Sequence, residues 1–219
     1  MLTVEQLGLW RGSQMIVETA GFGVEAGWAL QIHGANGSGK TTLLRVLAGL
    51  MPPDAGRVCW HGANVRAQPA RFRRDLAYVG HANGVSDDLT VLENIRFAMR
   101  LGAGGARSCT LSGGALLQER EVLTQANLLP LLHTRLGCLS QGQRRRVALA
   151  RLMLERKPLW VLDEPADALD HAASDWLAEC LVAHMKVGGI VIATTHRPLE
   201  TPLLRTRYLH LERSLPWTD

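Results

Sequence analysis

The sequence predicts an α/β fold, and three observations carry that reading. Short apolar runs alternate with segments of helical period along the chain. One such run, over 28–32, leads into a glycine-rich loop and then a helix-period segment. A second run, over 159–162, ends in two adjacent carboxylates, Asp163 and Glu164.

Taken in order, the segment before Gly27 alternates weakly between apolar and polar residues, the pattern of an antiparallel hairpin layer. Residues 28–32 predict a strand, and Gly34 to Lys40 the glycine-rich loop. A helix follows over 41–50, with Leu43, Leu44, Leu47 and Leu50 on one face. Pro52-Pro53-Asp54-Ala55-Gly56 stops it with a turn. A short strand is predicted over 57–60, and helices over 92–101 and 143–154. Trp160, Val161 and Leu162 form a buried strand that delivers Asp163 and Glu164, and 190–194 form another that ends at Thr195 and His196. The stretch 102–108 is the most loop-like in the chain. There is no internal repeat or low-complexity tract, so 1–219 are expected to form one domain.

The 219 residues are 47% hydrophobic, 20% charged and 5% aromatic, a globular composition. No apolar run approaches the roughly 18 residues of a membrane span. The first residues, Met1 to Trp10, carry neither the basic nor the apolar region of a secretory signal. Cys59, Cys109, Cys138 and Cys180 are widely spaced and read as free thiols of a reducing compartment. The net charge is +4, and Lys40, Lys157 and Lys186 are the lysines. The densest basic run, Arg144-Arg145-Arg146, has no interleaved aromatics, so no nucleic-acid partner is expected.

Gly34-Ala35-Asn36-Gly37-Ser38-Gly39-Lys40-Thr41 fits the GxxxxGK[ST] phosphate loop. Its glycines let the backbone curl so that successive N–H groups face the phosphates of a nucleotide. Lys40 then reaches the β- and γ-phosphates, and the Thr41 hydroxyl faces Mg²⁺. Thr42 is either a further phosphate contact or part of the first helical turn. On the acidic strand, alternation sends Asp163 toward Mg²⁺ and Glu164 toward an attacking water as general base.

Between these motifs lies Leu139-Ser140-Gln141-Gly142-Gln143, followed by the arginine run and Val147 to Arg151. Beyond them come Ala168-Leu169-Asp170 and His196. This set, in this order, resembles the ATP-binding subunit of ABC transporters over essentially the whole chain. Leu111-Ser112-Gly113-Gly114 is a partial copy of the signature that lacks the following Gln and the basic helix, and reads as loop. The resemblance implies a P-loop NTPase of ABC type: a RecA-like core, an N-terminal antiparallel β layer and an inserted α-helical subdomain over about 82–156.

It also implies roles. A Ser and a Gly at a helix N-terminus offer a hydroxyl and backbone N–H groups to an anion. In the family that anion is the γ-phosphate of ATP on the other subunit, so Ser140, Gly142 and Gln143 imply a head-to-tail homodimer with composite sites. His196 resembles the switch histidine that contacts the γ-phosphate, Asp170 the aspartate that crosses the dimer interface, and Trp10 the aromatic that stacks on adenine. The arginines at 144–146 read as solvated first turns of the signature helix, with Val147, Ala150 and Leu154 inward.

One position departs from the family. In Tyr78-Val79-Gly80-His81-Ala82-Asn83-Gly84, His81 stands where the family has a Gln. A neutral imidazole has one donor and one acceptor and is a poor ligand for Mg²⁺, so either the site has a weaker metal contact at His81 or His81 acts by placing water. Gly80-His81, the short length and the Leu89 to Asn94 stretch (LTVLEN) resemble the cytochrome c maturation, or haem exporter, branch. That branch implies a multi-pass membrane subunit as partner at the cytoplasmic face of the bacterial inner membrane, with haem-delivery proteins as indirect partners. No haem site is expected in this chain, because the sequence shows no CxxCH and no His/Met pair beside an apolar pocket. The alternative readings are an exporter of another substrate and a soluble ABC-type ATPase acting on ribosomes or nucleic acid.

Overall fold

The computed structural model describes residues 1–12, 14–102, 113–195 and 205–211. Two strands, β1 (Leu2–Arg11) and β2 (Gln14–Val24), form the antiparallel hairpin expected at the N-terminus. With β4 (Ala55–Trp60) and β5 (Ala63–Asn64) they build a four-stranded sheet of order β2-β1-β4-β5.

The second sheet is parallel and carries the chemistry. Its strands are β3 (Trp28–Gly34), β6 (Leu76–Val79), β7 (Leu159–Asp163), β8 (Ile190–Thr194) and β9 (Arg205–Leu211), in the order β6-β7-β8-β3-β9. Register aligns their carboxyl ends, with Val79 beside Leu162, Asp163 beside Thr194 and Gly34 beside Leu211. Ligands of open α/β sheets bind at such an edge.

Both faces of this sheet are covered, as a parallel sheet requires. Leu159, Val161, Ile190 and Ile192 face helix α1 (Lys40–Leu47) and the antiparallel layer. The alternate residues Trp160, Leu162, Val191 and Ala193 face the helices α3 (Val91–Gly102), α5 (Gln141–Glu155) and α6 (His171–Lys186). The period of two thus divides one sheet between two apolar cores. Helix α2 (Pro69–Asp75) precedes β6, and α4 (Gly113–Gln125) precedes two short 3₁₀ turns before α5.

Several boundaries move by a few residues. Helix α1 ends at Leu47 rather than 50, and Gly49 turns the chain at φ +66°. The signature helix begins at Gln141, two residues earlier than expected, because Ser140 caps it. The Leu89–Asn94 stretch has a structural use. Thr90 and Glu93 form reciprocal capping bonds at the start of α3. The buried Asn94 amide accepts from Ser86 N and donates to the carbonyls of Ser86, Leu89 and Thr90, pinning the preceding loop.

Candidate functional site

The phosphate loop closes the carboxyl end of β3. Gly34 has no room for a side chain: a Cβ there would lie 2.6 Å from Ser38 Oγ and 2.7 Å from Leu211 O. Gly39 adopts φ +96°, and a Cβ would meet Ile16 of β2 at 2.4 Å. The loop is therefore wedged between both sheets. Ala35, Asn36 and Gly37 are exposed at its crest, while Ser38, Gly39 and Lys40 are buried. Helix α1 starts with no side-chain cap and no acid in its first turn, which leaves its N-terminal amides to an anion. Thr42 is half-buried in that first turn.

Lys40 Nζ donates to Gly34 O at 2.8 Å and Ala35 O at 3.2 Å, and lies 3.9 Å from Glu164 Oε1. This ammonium therefore links the phosphate loop to the residue that follows the acidic strand. Thr41 Oγ1 donates to Asp163 Oδ1 at 3.3 Å, and Thr194 Oγ1 donates to the same oxygen at 2.7 Å. Asp163 Oδ2 and Ser38 Oγ are buried without a hydrogen-bond partner. A buried carboxylate oxygen beside a threonine hydroxyl is an all-oxygen donor set suited to Mg²⁺, so the residues present fit that ion.

Glu164 follows Asp163 with φ +48°, in the left-handed region. Its N–H donates to Thr194 Oγ1 at 2.9 Å and to Thr194 O at 3.2 Å. Thr194 thus holds both acids, a role that sequence reading did not assign to it. The available signal was its place: a hydroxyl ending a wholly apolar buried strand. Nearby, burial and the Asp163 charge push the Tyr78 phenol above its ordinary range.

The expectation of solvated arginines fails at Arg145, which is only 4% exposed. Its guanidinium donates to the carbonyls of Gly80, Asp163, Glu164 and Pro165 and to Asn83 Oδ1. The sequence could not show this, because all these acceptors lie remote along the chain, at the end of β7 and in the loops after β6 and β7. Arg144 is held by Asp87 and by the carbonyls of Gly137 and Leu139, and Arg146 by Asp170 at 2.8 Å.

Ser140 and Gln143 form a capping box at the start of α5: Gln143 N donates to Ser140 Oγ at 3.3 Å, and Ser140 N to Gln143 Oε1 at 2.9 Å. Gly142 faces Ala168, whose carbonyl would lie 2.6 Å from a Cβ. Asp170 caps α6 by accepting from Ala173 N at 2.9 Å. His81 is exposed in the turn after β6, and Trp10 is exposed on β1, opposite Met15 and so beside the Ile16 that contacts Gly39. His196 and Ser112 lie outside the described residues.

At the opposite end of β7 and β8, Met153, Trp160, Cys180 and His184 line a mainly apolar cavity of about 520 Å³. The expectation of no His/Met pair beside an apolar pocket is therefore wrong. Met153 and His184 sit on different helices and come to line one cavity only when α5 and α6 pack on β7. The imidazole stacks on Trp160 at 3.8 Å, and burial brings its pKa down to about 4.

Among the described residues, no helix is long and apolar enough to cross a membrane. The sequence model of a family described as ABC transporter matches residues 17–167. The chain is 67% identical over 228 residues to the cytochrome c biogenesis ATP-binding export protein CcmA of Paraburkholderia xenovorans (strain LB400), covering 100% of each. It is 42% identical over 214 residues to the protein of the same name from Dechloromonas aromatica (strain RCB), covering 96% of this chain and 100% of the relative. Among solved structures, an ATP-binding subunit of an ABC transporter matches with TM-score 0.79 at 27% identity, over 90% of this chain and 79% of that one. A bacterial ABC transporter cassette solved as a dimer matches with TM-score 0.79 at 23% identity over 98% and 97% of the two chains, a likeness of fold alone.

Proposed function

Because the chain belongs to the ABC transporter family of ATP-binding proteins, we propose that it is the ATP-hydrolysing subunit of an export complex in cytochrome c biogenesis. The observation that carries the chemistry is the meeting of Lys40, Thr41, Asp163 and Glu164 at the carboxyl edge of the parallel sheet.

In this reading the amides of 34–39 and the Lys40 ammonium bind the ATP phosphates. Trp10 offers its exposed indole to the adenine. Thr41 and Asp163 would hold Mg²⁺, which when bound supplies positive charge to the β- and γ-phosphate oxygens. Glu164 accepts the proton of the attacking water, and His81 and His196 orient that water. Ser140, Gly142 and Gln143 of a second copy close over the γ-phosphate, which excludes bulk water and completes the charge clamp. Loss of the γ-phosphate removes the bridge between copies, so the dimer reopens.

The single domain spans 1–219, and its helical part over about 82–156 docks a multi-pass membrane subunit. The assembly sits at the cytoplasmic face of the bacterial inner membrane. Its cargo chemistry serves haem delivery to apocytochromes c, which makes haem-delivery proteins indirect partners.

The test uses Glu164→Gln. With ATP and Mg²⁺ this variant accumulates as a dimer on size exclusion, because the nucleotide stays intact between copies. A variant that remains monomeric with bound ATP overturns the composite site. Mass spectrometry of chains co-purifying from detergent-solubilised membranes recovers a multi-pass subunit with haem-handling proteins. A different permease overturns the export assignment while leaving the ATPase chemistry standing.

A further inference from the structure

We infer that Arg145 is a positioning residue for hydrolysis, fixing the backbone of Glu164 and the 80–83 turn in one geometry. The inference rests on the reading of Glu164 as the base that activates water.

The guanidinium is buried near the N-terminal end of α5. Nη2 donates to Asp163 O at 2.5 Å and Glu164 O at 2.7 Å, and Nε donates to Pro165 O at 3.2 Å. Nη1 donates to Gly80 O at 2.9 Å and Asn83 Oδ1 at 2.7 Å. Every acceptor is a neutral carbonyl. The planar fork of the side chain is thus used for its shape, to span two loops at once. Burial works against its charge, and the neighbouring Asp167, Asp163 and Glu164 work in favour of it.

Glu164 needs such support. Its left-handed φ of +48° is one that residues with a Cβ rarely adopt, and it persists only where the surroundings over-determine it. Thr194 grips its N–H, and Arg145 grips its carbonyl, so the peptide is held on both sides. Asn83, at φ +58°, is anchored by the same guanidinium. The turn that bears His81 and the bend after β7 that bears Glu164 therefore share one tether. Lysine has three donors at a single point and cannot span both loops. Small displacements of a base from its water are expensive in rate.

The test compares Arg145→Lys and Asn83→Gly in the full chain, by steady-state ATP hydrolysis with Mg²⁺ and by ATP affinity measured separately. Asn83→Gly keeps the left-handed turn and removes only the acceptor. Arg145→Lys is expected to lower kcat by about tenfold or more while ATP affinity stays within about twofold, because the phosphate loop is untouched. Asn83→Gly is expected to lower kcat by about threefold with the same split. Wild-type rates in both variants overturn the inference. A matched loss of affinity and kcat also overturns it, as that marks a merely structural role. If Arg145→Lys does not fold, the split in Asn83→Gly decides. Glu164→Gln runs alongside: a wild-type rate there brings down the reading of Glu164 itself. An inactive Glu164→Gln beside unaltered Arg145→Lys and Asn83→Gly brings down this inference alone.

Discussion

Thr194 explains how two adjacent acids serve separate ends. Its hydroxyl donates to Asp163 and accepts from the Glu164 amide, so one carboxylate is pinned while the next residue is turned away from the strand. Thr194→Val keeps the shape and removes one hydrogen bond from each partner in a fully buried site, leaving Asp163 with Thr41 and the Glu164 amide with the residue 194 carbonyl. A loss of about 1–3 kcal/mol in urea unfolding is expected, with a fall in ATP hydrolysis. His184 gives a pH signature. Burial lowers its pKa to about 4 from an ordinary 6.5, so the folded state binds fewer protons than the unfolded chain between those values. This contribution is complete above about pH 6.5 and is lost as the pH falls toward 4. Its slope is roughly 1 kcal/mol per pH unit, less than a full proton's worth because the ring is partly solvated. His184→Gln should flatten that part of a pH series of urea melts, and an unchanged slope would assign the loss to other groups. The phosphate loop was legible because its contacts are made by consecutive backbone amides. Arg145 was not, because nothing in a run of three arginines says which one turns inward.

Among the elements, α5 carries most of the wiring. Its cap is local and was readable as Ser140 with Gln143 three residues on. Ser140→Ala should cost about 1 kcal/mol of stability, checked by chemical denaturation. Gly142→Ala should cost about 1–3 kcal/mol, since a methyl there must displace the Ala168 carbonyl. Helix α6 went unread although Asp170 is a cap residue and Leu177, Leu181 and Met185 recur on one face. Helix α4 gave less to read: it opens on Gly113-Gly114 and has weak apolar periodicity. Strand β9 (RTRYLHL) hides behind arginines that stay outside while the chain pairs with β3.

For the whole molecule, the composite of layers was expected, but the strand order was not available from any local signal. Pairings such as β3 with β8 and β9 join residues far apart in sequence. The phosphate loop touches both sheets, through Gly34 against Leu211 and Gly39 against Ile16. Bound nucleotide should therefore stabilise the entire fold. At 100 times Kd, ATP with Mg²⁺ should add about 2.7 kcal/mol, a rise in Tm of roughly 5–10 °C by calorimetry or dye melting. Lys40→Ala should abolish that rise.

The same strand order sets a timetable for synthesis. The β1–β2 hairpin can pair as soon as residue 24 has emerged, whereas β3 has β8 and β9 as its neighbours. Those strands begin at Ile190 and Arg205. At roughly 5–20 residues per second, the ribosome spends about ten to thirty seconds making the intervening chain. During that time Leu30 and Ile32 lie on a strand with both edges open. A nascent chain arrested before Ile190 therefore has every residue of its phosphate loop but neither of the strands that flank β3 in the finished sheet.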